Sequence, residues 1–298
     1  MKHTVGQVGL GVMGSAFAVN LMKNGFDVVG YDIDAEKLLE LQQQGLKPAT
    51  SPADVGRKAN VVITSLPSPE AFHAVMTGKD SLSDAENNDL VVVDACTLTI
   101  DDKMTAFEAL AAKNITLLDC PVSGTGAQAA NGDLVLLGSG DQQAFETVRP
   151  VLEGFNREVR YIGPFGDGSK MKFAANILVA IHNVSAAEAM VFGMKAGLEP
   201  QMLYDVLTKG AGTSRMFEMR GPMMVENDYD SNVSAAMTIQ DKDMKIIAAY
   251  AEKIKCPTPL FSATSSFYRA ALHKGLENSD TASVCAILED LAGLKRKG

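Results

Sequence analysis

The chain has no tryptophan, and its 298 residues include only four cysteines, Cys96, Cys120, Cys256 and Cys285. These lie far apart, with no Cys-x-x-Cys pair and no Cys/His cluster. That pattern argues against a disulfide framework or a zinc knuckle and reads as free thiols in a reducing cytoplasm. A His-Glu-x-x-His helix is missing too, as is any carboxylate cluster that would demand a metal, so no metal is expected. Positive charge is scarce: 27 Lys and Arg stand against 36 Asp and Glu, a net charge of −9. Without a basic block, neither nucleic acid nor an anionic membrane surface is an expected partner. Any anionic ligand must then be held by local geometry against the global field.

The start of the chain also lacks a true apolar run. Lys2, the uncharged stretch Thr4–Met22 and the small residues around Ala16-Phe17-Ala18 imitate a secretory signal. Yet Gly6, Gly9, Gly11 and Gly14 make a poor apolar helix, and Gln7 and Asn20 make a poor membrane span. The stretch reads better as a strand over Thr4–Gly9, a turn, and a helix over Val12–Lys23. No targeting segment is expected.

What the chain does have is 46% apolar and 21% charged residues, enough for two domains with real cores. In the first half, β-branched runs recur at Val5–Leu10, Val28–Ile33, Val61–Leu66, Leu90–Ala95, Ile115–Cys120, Leu134–Leu137 and Val159–Ile162. Helical patterns such as Ala35–Gln44 and Lys103–Lys113 fall between most of them. Continuous apolar strands alternating with helices predict a doubly wound parallel sheet of the Rossmann type, covered on both faces. Such sheets bind ligands at the carboxyl ends of their strands. After about Gly168 strand signals stop. A long helix is predicted over Ser169–Ala196, followed by helices at Pro200–Lys209, Ala235–Lys255, Thr258–Lys274 and Ala282–Lys295. The expected organisation is a dinucleotide-binding domain over 1–164 and an all-helical substrate and dimerisation domain over 165–298, joined by the long helix. The apolar helices point to a homodimer or homotetramer.

Gly9-Leu10-Gly11-Val12-Met13-Gly14 is a Gly-x-Gly-x-x-Gly at a strand-to-helix junction. Gly9 permits the tight turn, Gly11 lets a pyrophosphate approach the backbone, and Gly14 lets helix and strand pack closely. Asp32 ends the second strand, 18 residues after Gly14, near the spacing expected of a ribose-binding carboxylate. It can accept hydrogen bonds from the adenosine ribose and would repel a 2′-phosphate. Ile33 and Asp34 supply no arginine for that phosphate, so NAD is expected over NADP.

Later, Gly166-Asp167-Gly168-Ser169-Lys170-Met171-Lys172 opens the long helix, with Asn176 four residues beyond Lys172 on one face and Asn183 near it. A lysine and an amide beside a hydride carrier can bind and protonate an alkoxide oxygen. Spacing alone leaves a solvated lysine the commoner reading. Ser123-Gly124 alone reads as an ordinary turn, and Lys242-Asp243 alone as a surface pair.

The order of motifs adds to this. The glycine loop with Asn20-Leu21, Ser65-Leu66-Pro67-Ser68-Pro69, Asp94-Ala95-Cys96-Thr97, Asp119-Cys120-Pro121-Val122-Ser123-Gly124, the Gly-x-Gly-x-x-x-Lys ending at Lys172 with Asn176, and Lys242-Asp243 follow one another along nearly the whole chain. In this it resembles the β-hydroxyacid dehydrogenase family. The resemblance implies a catalytic Lys172, substrate binding by Asn176 and by Ser123, Gly124 and Thr125, and a nicotinamide and ribose side lined by Leu66, Pro67, Thr97 and Lys242. Thr125 stands where the family usually has a further glycine. Its hydroxyl is expected to narrow the site or to hydrogen-bond a polyhydroxy substrate. Cys96 replaces the frequent serine before Thr97, and Thr213 and Arg215 stand where threonate-type relatives tend to carry Asn and Trp.

The implied reaction is NAD-dependent oxidation of a short 3-hydroxy acid of the 3-hydroxyisobutyrate, glycerate/tartronate semialdehyde or threonate type, with Lys172 as acid and base. A lysine in that role near neutral pH calls for a lowered pKa. Two other readings remain: an NADPH-linked glyoxylate or succinic semialdehyde reductase, which Asp32 disfavours, and a dinucleotide-binding protein without turnover, which the presence of Lys172 disfavours.

Overall fold

In the computed structural model, which describes residues 4–296, the first half alternates strand and helix as its apolar runs dictate. Strands β1 (Thr4–Val8), β2 (Asp27–Tyr31), β3 (Lys47–Pro48), β4 (Val61–Thr64), β5 (Val91–Asp94) and β6 (Thr116–Asp119) are followed by β7 (Val122–Ser123), β8 (Val135–Ser139) and β9 (Glu158–Gly163). Between them run helices α1 (Val12–Lys23), α2 (Ala35–Gln42), α3 (Pro52–Lys58), α4 (Pro69–Thr77), α5 (Ile100–Ala111), α6 (Gly126–Ala130) and α7 (Gln142–Leu152). One sheet takes all nine strands in the order β3-β2-β1-β4-β5-β6-β8-β7, with β9 also paired to β8. β3 through β6 are parallel throughout. The chain order reverses between β1 and β4, and that switch point opens a crevice at the strands' carboxyl ends.

Neighbouring residues on a strand point to opposite faces, so both faces must be covered. Val5, Val28, Ile63, Val93 and Leu118 pack under α1 and α7 with Phe17, Phe145 and Phe155. Val29, Val62, Val92 and Leu117 pack on the other side with Phe72, Met76 and Leu110. Each such side chain contributes about 1.5–3 kcal/mol by leaving water. Beyond β6 the sheet departs from the all-parallel expectation. β6 and β8 meet antiparallel through one pair, Asp119 with Ser139, and β7 runs antiparallel to β8. The cause is the bend at Cys120-Pro121, which turns the chain before a crossover helix can form. β3 and β7 are two residues long and leave no periodic signal in the sequence.

Helix α8 (Asp167–Lys195) opens the second half. It is followed by α9 (Pro200–Leu207), α10 (Arg215–Glu226), α11 (Met237–Lys253), α12 (Pro259–His273) and α13 (Val284–Leu291). Among the described residues, strand-like pairing here amounts to one isolated bridge, Ala236 with Asp280. By length and composition α8 could cross a bilayer. Here its Ala180, Ala187 and Met190 lie in the interior, and Asn183 donates to the Thr281 carbonyl at 2.7 Å and to the Tyr268 hydroxyl at 3.2 Å. Asn183 is therefore a structural residue. A second buried anchor is Asp280, which pairs with Arg220 at 3.0 Å and accepts from the Ser234 and Ala235 amides.

The chain forms two compact units, Met1–Lys172 and Phe173–Gly298. The division falls inside α8, eight residues past the 164/165 boundary expected from composition. The reason is local: the opening turn of α8 is hydrogen-bonded to the sheet through Gly168 and Ser169. Lys2, the charge of the signal-like start, lies outside the described residues. The four cysteines are free thiols, with Cys96, Cys120 and Cys285 buried and Cys256 exposed.

Candidate active site

The first unit gathers most of the expected site residues on one edge, because the parallel pairing of β1, β2, β4, β5 and β6 puts their carboxyl ends side by side. The glycine turn follows β1. Gly9 has φ +86°, a conformation that disfavours a side chain, and a Cβ on Gly14 would sit 1.9 Å from the Gly9 carbonyl oxygen. Above Gly11 an added Cβ would meet nothing within 4 Å, so that side of the turn is open. No side chain caps α1 and no acidic residue lies in its first turn, which leaves its positive end for an anion. These features fit a dinucleotide pyrophosphate. Asp32 follows β2. Its Oδ2 accepts from the Leu10 amide at 2.6 Å and its Oδ1 from the Asp34 amide at 2.8 Å, which fixes the carboxylate beside the turn.

Leu66 and Pro67 follow β4, and Thr97 follows β5. Cys96 ties these two turns together, since its Sγ accepts from the Leu66 amide at 3.1 Å. Burial, with the nearby Asp94 charge, pushes the Cys96 thiol well up, so it acts as a neutral brace.

Ser123 lies in β7, and Gly124 follows with φ +145°, where a Cβ would strike Leu134 at 2.4 Å. Thr125 also has a structural task. It is the N-cap of α6: its hydroxyl accepts from the Gln128 amide at 3.4 Å, and its own amide donates to Gln128 Oε1 at 3.1 Å. Both groups thus take part in a capping box, by which Thr125 shapes the turn. Its amide is committed to Gln128 in the same box.

Lys172 lies half-buried on the first turns of α8, the last residue of the first unit. Lys170 points elsewhere, exposed and paired with Asp167 at 2.7 Å. In the second unit, Asn176 is buried and donates from Nδ2 to Asp243 Oδ2 at 2.8 Å, while Lys242 Nζ lies 3.2 Å from Asp243 Oδ1. Asp243 therefore orients both residues, and the Lys242-Asp243 pair is not a mere surface contact. Among the described residues, no group of three or more His, Cys, Asp or Glu side chains could hold a metal.

Several contributors went unread in the sequence. Gln7, buried in β1, donates to the Gly9 carbonyl at 3.0 Å and braces the turn from below. A lone amide inside Thr-Val-Gly-Gln-Val was its only signal. Lys103 is fully buried between Asp94, at 2.9 Å, and Asp119, at 2.6 Å. Burial alone would lower its pKa, but the Asp119 and Asp94 charges outweigh that and hold the ammonium well above the usual lysine value.

Comparison with known proteins agrees with this arrangement. A family model described as the NAD binding domain of 6-phosphogluconate dehydrogenase matches residues 4–163. A second, described as the NAD-binding domain of NADP-dependent 3-hydroxyisobutyrate dehydrogenase, matches residues 166–288. An L-threonate dehydrogenase of Cupriavidus necator is 33% identical over 96% of each chain. Glyoxylate/succinic semialdehyde reductase 2 of Arabidopsis thaliana is 29% identical, covering 96% of this chain and 79% of its own. Among solved structures, a 3-hydroxyisobutyrate dehydrogenase from Salmonella typhimurium aligns with TM-score 0.84 at 29% identity, over 96% of this chain and all of its own. With the ordered motifs present and both units matched, the chain is an oxidoreductase that uses a nicotinamide dinucleotide and belongs to the β-hydroxyacid dehydrogenase family.

Proposed function

We propose that the protein is an NAD-linked dehydrogenase of a short 3-hydroxy acid, R–CH(OH)–C–COO⁻, or the reductase of the matching semialdehyde. One observation carries the reading. The opening turn of α8 is bonded through Gly168 and Ser169 to the ends of β6 and β8, which supports a place for Lys172, three residues on, near the strand ends that carry the glycine turn and Asp32. When bound, the dinucleotide supplies the hydride acceptor. The protein's own residues do the rest. Ser123 and the Gly124 backbone hold the carboxylate. Lys172 holds, and then moves, the proton at the hydroxyl oxygen, and Asn176, its amide set by Asp243, orients the substrate. Leu66, Pro67 and Thr97 line the nicotinamide and ribose side. Asp32 favours NAD by repelling a 2′-phosphate, and the same carboxylate disfavours the NADPH-linked reduction of glyoxylate or succinic semialdehyde.

The test is NADH formation across 3-hydroxyisobutyrate, glycerate, L-threonate, erythronate and 3-hydroxybutyrate, repeated with NADP. Turnover with NAD on at least one of these acids is expected. Tight NADH binding with no oxidation of any of them would instead make the protein a dinucleotide binder without turnover.

We further propose a soluble, cytoplasmic homodimer or homotetramer. Phe192 and Leu291, 77% and 72% exposed, flank an apolar groove with Val191 and Leu288 in the second unit. Exposed apolar groups of this size commonly mark interfaces. Sedimentation equilibrium should give a multiple of the chain mass, and Phe192→Asp should reduce it. A monomer at micromolar concentration would refute the assignment.

A further inference from the structure

The buried cluster under the site is costly, and its wiring points to a role. Lys103 Nζ directs its donors at three acceptors: Asp119 Oδ1 at 2.6 Å, Asp94 Oδ2 at 2.9 Å and the Cys96 carbonyl at 2.7 Å. Two carboxylates against one ammonium leave one net negative charge, with all three side chains 0–1% exposed. That excess is offset by aimed donors. Asp94 Oδ1 accepts from Thr64 Oγ1 at 2.8 Å and the Cys96 amide at 3.3 Å. Asp119 accepts from Ser169 Oγ at 2.8 Å, the Ser169 amide at 2.8 Å and Ser139 Oγ at 3.2 Å. Ser139 Oγ in turn accepts from the Gly168 amide at 2.9 Å.

Two of the orphan N–H groups that open α8 are therefore capped by the sheet, not by a residue next to them in the chain. The contact is close: a Cβ on Gly168 would lie 2.3 Å from the Leu137 carbonyl oxygen and 2.7 Å from that of Asp119. The positive end of the 29-residue helix also faces the excess negative charge.

Every arm of the cluster reaches a segment that carries a site residue. Thr64 precedes Leu66 and Pro67, Cys96 precedes Thr97, and Ser169 precedes Lys172 by three residues, about 4.5 Å along the helix axis. A well-packed apolar trio would hold the fold as well or better. Hydrogen bonds add direction, which packing does not.

We propose that Asp94, Lys103 and Asp119 form a positioning device that registers the opening turn of α8, and with it Lys172, against the turns carrying Leu66 and Thr97. Ser169 is its link to the helix. The inference rests on the acid–base role proposed for Lys172. An angular slip of this turn would displace the lysine amine from its target, and a misplacement of about 1 Å costs on the order of 10²-fold in rate.

The test compares Ser169→Ala, Ser169→Thr and Lys172→Ala in the full chain, with L-threonate and 3-hydroxyisobutyrate as probes. For Ser169→Ala, kcat should fall about 10- to 100-fold while the NADH Kd and the substrate KM move less than about twofold. Amide hydrogen exchange should quicken in Gly168–Lys172 and stay unchanged in β1 and β5. Ser169→Thr, which keeps the hydroxyl, should retain kcat within about threefold. Wild-type kcat in Ser169→Ala beside an inactive Lys172→Ala overturns the positioning role alone. So does a loss of kcat that merely tracks weakened NADH binding and is not rescued by threonine. Full activity of Lys172→Ala overturns the acid–base reading first. Should neither probe turn over, unchanged exchange at Gly168–Lys172 in Ser169→Ala still overturns the clamp.

Discussion

Lys172→Ala is expected to lose about 10²–10⁴-fold in kcat, the usual range for removing a general acid or base, while NADH binding survives. The separation follows from where the contacts lie. The pyrophosphate turn is built from Gly9–Gly14 at the uncapped start of α1 and is braced by Gln7 and Asp32, whereas Lys172 lies on α8. Lys172→Arg sharpens the test. It keeps charge and length, but a guanidinium does not give up its proton at working pH. If Lys172 only attracts the substrate anion, arginine should serve; if it moves a proton, arginine should fail nearly as badly as alanine. Single-turnover hydride transfer, with NADH Kd measured alongside, distinguishes the two. Near-wild-type kcat in Lys172→Ala would remove the residue from the chemistry.

The second large effect is on cofactor choice. A hydrogen bond to a charged acceptor is worth about 1.5–3 kcal/mol, roughly 10- to 150-fold in affinity. Asp32→Ala should lower kcat/KM for NAD by that order. It does so by two routes, because Asp32 also accepts from the Leu10 amide and steadies the turn. Asp32→Asn separates them. It keeps an acceptor for Leu10 but loses the charge, so NAD use should fall less, and NADP use should rise as repulsion of the 2′-phosphate is lifted. Asp32→Arg should carry the preference further toward NADP. The measurement is the NAD/NADP ratio of kcat/KM in each variant; a ratio that stays fixed throughout would contradict the ribose assignment.

Much of this arrangement was legible in the residues. Apolar runs such as Val61–Leu66 and Leu90–Ala95 announce buried parallel strands. The glycine turn and Asp32 lie close enough in sequence for their spacing to carry meaning. What stayed hidden depends on partners brought together only by folding. Lys103 reads as an ordinary helix lysine because its partners Asp94 and Asp119 come from two different strands. Asp119 meets Ser169 across 50 residues. Asn176 meets Asp243 across 67. The capping role of Thr125 was hidden as well, because a capping box and a binding turn share the same residue types. Helix α10 was missed because Gly221 and Pro222 interrupt its pattern. Its start is nonetheless fixed by Ser214, which accepts from the Phe217 amide at 3.1 Å, and Gly221 makes room for the Tyr204 ring.

The dependence of Asp119 on Ser169 bears on modularity. A fragment cut where β9 ends, at Gly163, would resemble a finished nucleotide-binding module and yet leave that carboxylate facing a hole. On a ribosome, the sheet's far edge would have to wait for the next few amino acids to emerge before its electrical imbalance was relieved. Anyone grafting this half onto another scaffold would need to carry the opening turn of the following helix along with it.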